Sequence, residues 1–103
     1  MNYLYSKDVE ELFKTLLQLK TVGECRNYLR DLLTEAEIKE FANRWKVARL
    51  LEEKVPYEDI TKKTGMSSTT IARIQKWLQN GKGGYRLMLK KINGKKRENK
   101  KSK

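Results

Sequence analysis

The clearest structural signal in this 103-residue chain is the stretch YEDITKKTGMSSTTIARIQKWLQ, residues 57–79. Its apolar residues keep helical spacing on both sides of Gly65, a residue type that adopts a positive φ angle without steric cost. Ser67 or Ser68 can cap the helix that follows this turn. A short helix, a tight turn and a second helix are the layout of a helix-turn-helix, whose second helix is shaped to enter the major groove of DNA.

The two faces of this predicted second helix differ in chemistry. We predict that the apolar side chains of the motif form a core, made by Ile60, Met66, Ile71 and Ile74 and extended by Trp77 and Leu78. Six residues on the opposite face are predicted to approach DNA: Ser67, Ser68, Thr69, Ala72, Arg73 and Lys76. Hydroxyls bond to bases or phosphates, and small methyl groups touch thymine methyls. One of the two serines is expected to be only an N-cap. Lys62 and Lys63 of the first helix either reach the DNA backbone or remain solvated.

The rest of the sequence is helical in pattern. Ser6 can cap a first helix, and the pairs Thr21–Glu24 and Thr34–Glu37 have the spacing of capping boxes at two further helices. The third helix is long and is predicted to end near Glu53. After the glycine-rich joint at residues 80–84, a short last helix is predicted from Tyr85 to Ile92. The expected fold is an all-α bundle of five to six helices.

Helices one and two are rich in leucine and aromatic residues for their length. We predict that residues 1–33 form a dimer interface, because a small domain with a modest core gains stability from association. The alternative is ordinary packing of these helices against the helix-turn-helix of the same chain.

Charge is unevenly distributed along the chain. The whole sequence has a formal net charge of +11, and residues 90 to 103 contain eight basic residues and a single acid, Glu98. A folded body with a basic tail suits a polyanionic partner, although such tails also occur as solvated, disordered segments. We predict a domain at residues 1–92 and a disordered basic tail at residues 93–103.

Composition also excludes several classes of function. The single cysteine, Cys25, allows no intrachain disulfide and is expected to be a small buried hydrophobe in a reducing compartment. No signal peptide or membrane-spanning run is present, so a cytoplasmic location is expected. The chain has no histidine, no phosphate-binding glycine loop and no zinc-ligand spacing, so we expect neither an enzyme nor a metal site.

At this point the sequence resembles a known family. Residues 33–47, LTEAEIKEFANRWKV, together with Ile60 to Arg73, are similar to the tryptophan repressor superfamily, in particular its Trp-repressor-related branch labelled YerC/YecD. The resemblance covers residues from about 30 to 92. It implies an intertwined, all-helical homodimer with two recognition helices, and hence a palindromic operator with half-sites about one DNA turn apart.

The resemblance also implies where an effector would bind. Tryptophan repressors hold free tryptophan between two arginines, which Arg44 and Arg73 match, and Thr34 matches a residue at the edge of that pocket. The glycine after the second arginine is replaced by Ile74, and the serine near the ligand's amino group is replaced by Trp77. A branched side chain in place of glycine obstructs an indole. We therefore expect no cofactor and no tryptophan corepressor, and the sequence leaves open whether another small effector binds.

Two functions are consistent with these observations. The first is a dimeric bacterial transcriptional regulator, a repressor at the nucleoid, that binds double-stranded DNA with sequence specificity. The second is a non-regulatory nucleic-acid-binding or protein-interaction adaptor, which would show little preference among duplex sequences.

Overall fold

The computed structural model describes the backbone of residues 2–101 and the side chains of residues 2–95. Within these residues the chain is helical and contains no strand, which confirms the predicted all-α class. A 3-10 turn at Tyr3–Tyr5 precedes six α-helices: α1 Lys7–Leu16, α2 Val22–Leu32, α3 Glu35–Glu52, α4 Tyr57–Thr64, α5 Ser68–Asn80 and α6 Gly84–Lys101. None of the helices in the described part is long and apolar enough to span a membrane. The chain divides into two compact units, Met1–Ile38 and Lys39–Lys103.

The helix starts of the first unit follow the predicted capping residues. Ser6 caps α1 by accepting from the backbone N–H of Val9, and Thr21 caps α2 by accepting from that of Glu24. The Glu24 carboxylate does not complete the box at Thr21; it accepts from the N–H of Lys20 at 2.8 Å. Neither helix of this unit contains a buried residue. Cys25, predicted to be buried, is only half-buried.

Thr34 and Glu37 form the complete capping box predicted at the start of α3. The Thr34 N–H donates to the Glu37 carboxylate at 2.9 Å, and the Glu37 N–H donates to the Thr34 hydroxyl oxygen at 3.1 Å. The hydrogen bond from the Thr34 backbone, followed by that from its side chain, lowers the pKa of Glu37. The carboxylate is therefore the form that stabilises this helix end.

The core lies in the second unit. Nine hydrophobic residues are buried together: Val47, Ala48, Leu51, Ile60, Met66, Ile71, Ile74, Leu78 and Leu89. They come from α3, α4, α5 and α6 and from the turn of the motif. The four predicted core residues of the motif are among them, as is Leu78, and these predictions are confirmed. The prediction that Trp77 extends this core is wrong, because its side chain is 41% exposed.

The turn between α4 and α5 has the predicted geometry. Gly65 ends α4 in the left-handed conformation, with φ 73°. Thr64 strengthens the turn, because its hydroxyl donates to the carbonyl of Ile60 at 2.7 Å and accepts from the N–H of Met66 at 3.1 Å. The direction in which α5 leaves the turn is therefore fixed by Gly65 and by the hydrogen bonds of Thr64 to the backbone of two core residues, Ile60 and Met66.

The last helix is longer than predicted. It continues past Ile92 to Lys101, so residues 93–101 have a helical backbone instead of the predicted disorder. Gly94 costs a helix interior roughly 0.5–1 kcal/mol, but the lysine-rich sequence around it has good helix propensity. The predicted disorder of residues 102–103 lies outside the described residues. The third helix, α3, ends at Glu52, in agreement with the predicted end near Glu53.

Candidate nucleic-acid interface

The start of α5 presents small polar side chains to solvent. Ser67 is the N-cap of this helix, and its hydroxyl oxygen accepts from the Thr70 N–H at 3.2 Å. Ser68 is the first helical residue and is exposed, as is Thr69. Ser67 therefore caps the helix end, whereas the exposed side chain of Ser68 makes no hydrogen bond among the described residues.

The remaining predicted contact residues continue along the same exposed side of α5. Ala72, Arg73 and Lys76 are exposed, while Ile71 and Ile74 on the other side are completely buried. Burial of one side orients the helix, so all six predicted reading residues lie on accessible positions of one short helix. A helix with a small, polar N-terminal turn and basic residues beyond it can lie against base edges and phosphates.

Both predicted lysines of α4 are also exposed. The carbonyl of Lys63 accepts from Nζ of Lys46 at 3.4 Å, a contact from α3 that adds a positive charge beside the end of α4. Lys46 was not predicted as a site residue. Sequence spacing alone gives no sign of it, because Lys46 and Lys63 are 17 positions apart.

An open groove of about 590 Å³ lies between the start of α4 and the start of α5. Sequence reasoning identified only two of the residues around it, Lys62 and Ser68. The other lining residues are Pro56, Tyr57, Glu58 and Thr61. The signal that could have found them is helical spacing, since positions 57, 58, 61 and 62 share one face of α4.

The residues predicted for an effector pocket have separate roles in the structure. Ile74 is completely buried in the core, and Thr34 belongs to the capping box of α3. Arg44 pairs with Glu40, with Nε 3.1 Å from Oε2, and its guanidinium lies 5.9 Å from the ring centre of Phe41. Arg73 is exposed on the α5 reading side. Trp77 lines a large cavity of the second unit.

That cavity is an aromatic groove of about 770 Å³ beside the joint between α5 and α6. The rings of Trp45 and Tyr85 stack with centroids 6.4 Å apart and planes at 16°. Burial raises the pKa of Tyr85, and the positive charge of Arg44 acts in the opposite direction. Trp77 borders this groove instead of completing the core, whereas the next residue, Leu78, is buried.

Comparison with known proteins agrees with the fold and with the motif. The family model described as Trp repressor protein matches residues 7–93. The chain belongs to the Trp repressor family. Its last ten residues, 94–103, lie beyond the matched segment.

Individual members of the family are similar over most of their length. The chain is 37% identical to the protein YerC of Bacillus subtilis over 89 residues, which are 86% of each chain. It superposes with a TM-score of 0.86 on the crystal structure of a TrpR-like protein from Eubacterium eligens, at 35% identity, covering 90% of this chain and 96% of that one. It also superposes on the crystal structure of a protein from Staphylococcus aureus described as a "putative Trp repressor", with a TM-score of 0.82 at 32% identity, covering 87% of this chain and 90% of that one.

Membership of the Trp repressor family is consistent with a helix-turn-helix DNA-binding regulator.

Proposed function

We propose that this protein is a transcriptional repressor that binds a palindromic operator in double-stranded DNA as a homodimer. The observation that carries this proposal is the exposed side of α5, from Ser67 to Lys76, set on a completely buried opposite side. The uncharged N-terminal turn suits close approach to base edges, whereas Arg73 and Lys76 suit guanine or phosphate oxygens. Such a protein acts on the bacterial nucleoid, in the cytoplasm.

The apolar side chains of the first unit support the dimer. Leu17 and Val22 are 81% and 73% exposed, and Phe13 and Leu32 are also exposed. A soluble chain seldom leaves so many large apolar groups in water over 38 residues. A second copy of the chain would cover them and would present two copies of α5 to DNA. The operator would then have two inverted half-sites about 10 base pairs apart, centre to centre.

Free tryptophan is not the effector in this proposal. Ile74 packs into the core with no exposed surface, so the space next to Arg73 that an indole requires is occupied by a branched side chain. Arg44 is already engaged with Glu40 and Phe41. We expect no heat of binding when tryptophan is titrated into the protein in a calorimeter. Micromolar binding would contradict this part of the proposal.

Selection of bound duplexes from a random pool tests the main proposal. The full chain should return a palindrome, and Lys76→Ala should weaken binding to it. Lys82→Ala is the matched control, because Lys82 follows the C-terminal end of α5, about 20 Å from the reading turn at 1.5 Å per residue. A pool that returned no preferred sequence would favour the nucleic-acid or protein adaptor instead.

The basic C-terminal segment supplies affinity without specificity in this proposal. Residues 93–103 carry six basic residues and one acid. Their removal should weaken binding to operator and scrambled duplexes by similar factors and should reduce the dependence of binding on salt. Loss of operator binding alone, with scrambled binding unchanged, would contradict this division.

A further inference from the structure

The groove at the start of the helix-turn-helix brings an acidic residue beside the reading turn. Glu58, in the first turn of α4, and Ser68, the first residue of α5, line the same groove of about 590 Å³. Both side chains are exposed. If Ser68 meets base edges, as in the function proposed above, the carboxylate of Glu58 lies beside the same base pairs.

Glu58 is also without a charged partner in the described part of the chain. None of the ion pairs there includes it, although Lys62 lies one helical turn further along the same face. None of the side-chain hydrogen bonds among these residues includes it either. Its acceptor oxygens are therefore available to an external donor.

An available carboxylate is unfavourable on a DNA-binding surface unless a donor meets it. Phosphates repel it, so it weakens binding to any duplex that offers no compensating hydrogen bond. An ionised carboxylate only accepts hydrogen bonds. In the major groove the exocyclic amino group of cytosine is the donor to which Glu and Asp side chains pair.

We propose that Glu58 is a specificity-determining residue that accepts a hydrogen bond from the N4 amino group of one cytosine in each half-site, next to the base pair that faces Ser68. This inference rests on the proposed function. It adds α4 to the reading surface through a base contact, whereas Lys62 and Lys63 were considered only for contacts to the DNA backbone. The proposed contact also implies that Glu58 lowers the affinity of the protein for duplexes that lack this cytosine.

A neighbouring acid separates this role from an ordinary effect on helix stability. Acidic residues in the first turn of a helix favour the positive end of its dipole, and α4 has two, Glu58 and Asp59. Only Glu58 lines the groove. Asp59→Asn removes the same charge from the same helical turn and is the matched control for Glu58→Gln.

The test is selection from a random duplex pool with three full-length proteins: the wild type, Glu58→Gln and Asp59→Asn. We expect Glu58→Gln to lose the preference for cytosine at one position of each half-site, by about tenfold for one good base contact, with the other positions unchanged. Asp59→Asn should return the wild-type motif. Fluorescence anisotropy should also show that Glu58→Gln binds a scrambled duplex more tightly than the wild type and Asp59→Asn do.

The possible failures are distinguishable. A wild-type protein that selects no motif overturns the proposed function, and this inference with it. A wild-type motif that Glu58→Gln reproduces, with unchanged binding to the scrambled duplex, overturns only the role of Glu58. Equal changes of the selected motif and of scrambled-duplex affinity in Glu58→Gln and Asp59→Asn also overturn the role of Glu58, since the effect would then arise from the charge of α4 as a whole.

Discussion

The units Met1–Ile38 and Lys39–Lys103 differ most in the burial of their apolar side chains. All nine buried hydrophobic residues of the described chain belong to the second unit. Helices α1 and α2 of the first unit contain none, although their apolar residues keep a helical spacing as regular as that of α5. Periodicity therefore indicates which side of a helix needs a partner, but not whether the same chain supplies that partner.

The largest expected effect comes from comparing one apolar side chain of each unit. Ile71→Ala removes a completely buried group from the core and should lower the free energy of unfolding by about 2–5 kcal/mol. Leu17→Ala, at a side chain that is 81% exposed in the single chain, should instead raise the dissociation constant of the dimer. Urea unfolding at several protein concentrations and sedimentation equilibrium measure the two effects. If Leu17→Ala lowered the free energy of unfolding strongly and independently of protein concentration, the proposed difference between the two units would be contradicted.

Two glycines should respond in opposite directions to the same substitution. At Gly81 a Cβ atom would lie 3.1 Å from the carbonyl carbon of Trp77 and would also crowd the carbonyl oxygen, so Gly81→Ala should cost about 1–3 kcal/mol. At Gly23, within α2, the nearest group is the Thr21 hydroxyl at 3.8 Å. Gly23→Ala should therefore stabilise that helix by about 0.5–1 kcal/mol. Thermal unfolding followed by circular dichroism measures the change in melting temperature for each variant. Changes of the same sign in both variants would contradict the prediction.

The adjacent serines of the reading turn should separate stability from DNA binding. Ser67→Ala removes the N-cap of α5 and should cost about 1 kcal/mol of stability. Ser68→Ala should change stability by less than about 0.5 kcal/mol, since its exposed side chain makes no capping bond, yet it should weaken operator binding. Denaturant unfolding and anisotropy on the selected operator measure the two quantities. The assignment fails if Ser68→Ala destabilises the protein as much as Ser67→Ala does.

The smallest expected effect is a pH dependence located in the first unit. The pKa of Glu37 is lowered in the folded chain, so its contribution to stability is complete above the ordinary value of 4.5 and is lost as the pH falls through the lowered pKa. Glu37→Gln should remove this part of the acid dependence and leave the rest. Unfolding curves of the wild type and Glu37→Gln between about pH 3 and 6 test this prediction. Identical dependence of stability on pH in the two proteins would contradict a contribution of the capping box to the acid dependence.

Features that depend on a few neighbouring residues were well predicted from the sequence. The caps at Ser6, Thr21 and Thr34 need only a side chain that reaches an N–H three positions ahead. The turn at Gly65 needs only a residue that tolerates positive φ. The buried side of α5 follows from helical spacing, since Ile71, Ile74 and Leu78 recur at intervals of three and four.

Features that depend on distant segments of the chain were poorly predicted from the sequence. Trp77 has the spacing of a core residue, yet its side chain is 41% exposed and borders the aromatic groove. The residues of the predicted effector pocket were assigned by their similarity to a family pattern, and one of them, Ile74, is taken up by the core. Lys46 and the groove around Glu58 required knowledge of which helix ends lie side by side.

Sequence alone was therefore enough to predict the helices, their caps, the helix-turn-helix and the apolar side of each helix. These properties arise from interactions within one or two helical turns, where spacing along the chain is nearly equivalent to spacing in three dimensions. The packing of the helices was needed to show that Trp77 borders a groove and that Glu58 lines the same groove as Ser68. Those relations depend on how α3, α4, α5 and α6 pack, and packing is set by the combined shape of residues far apart in the chain.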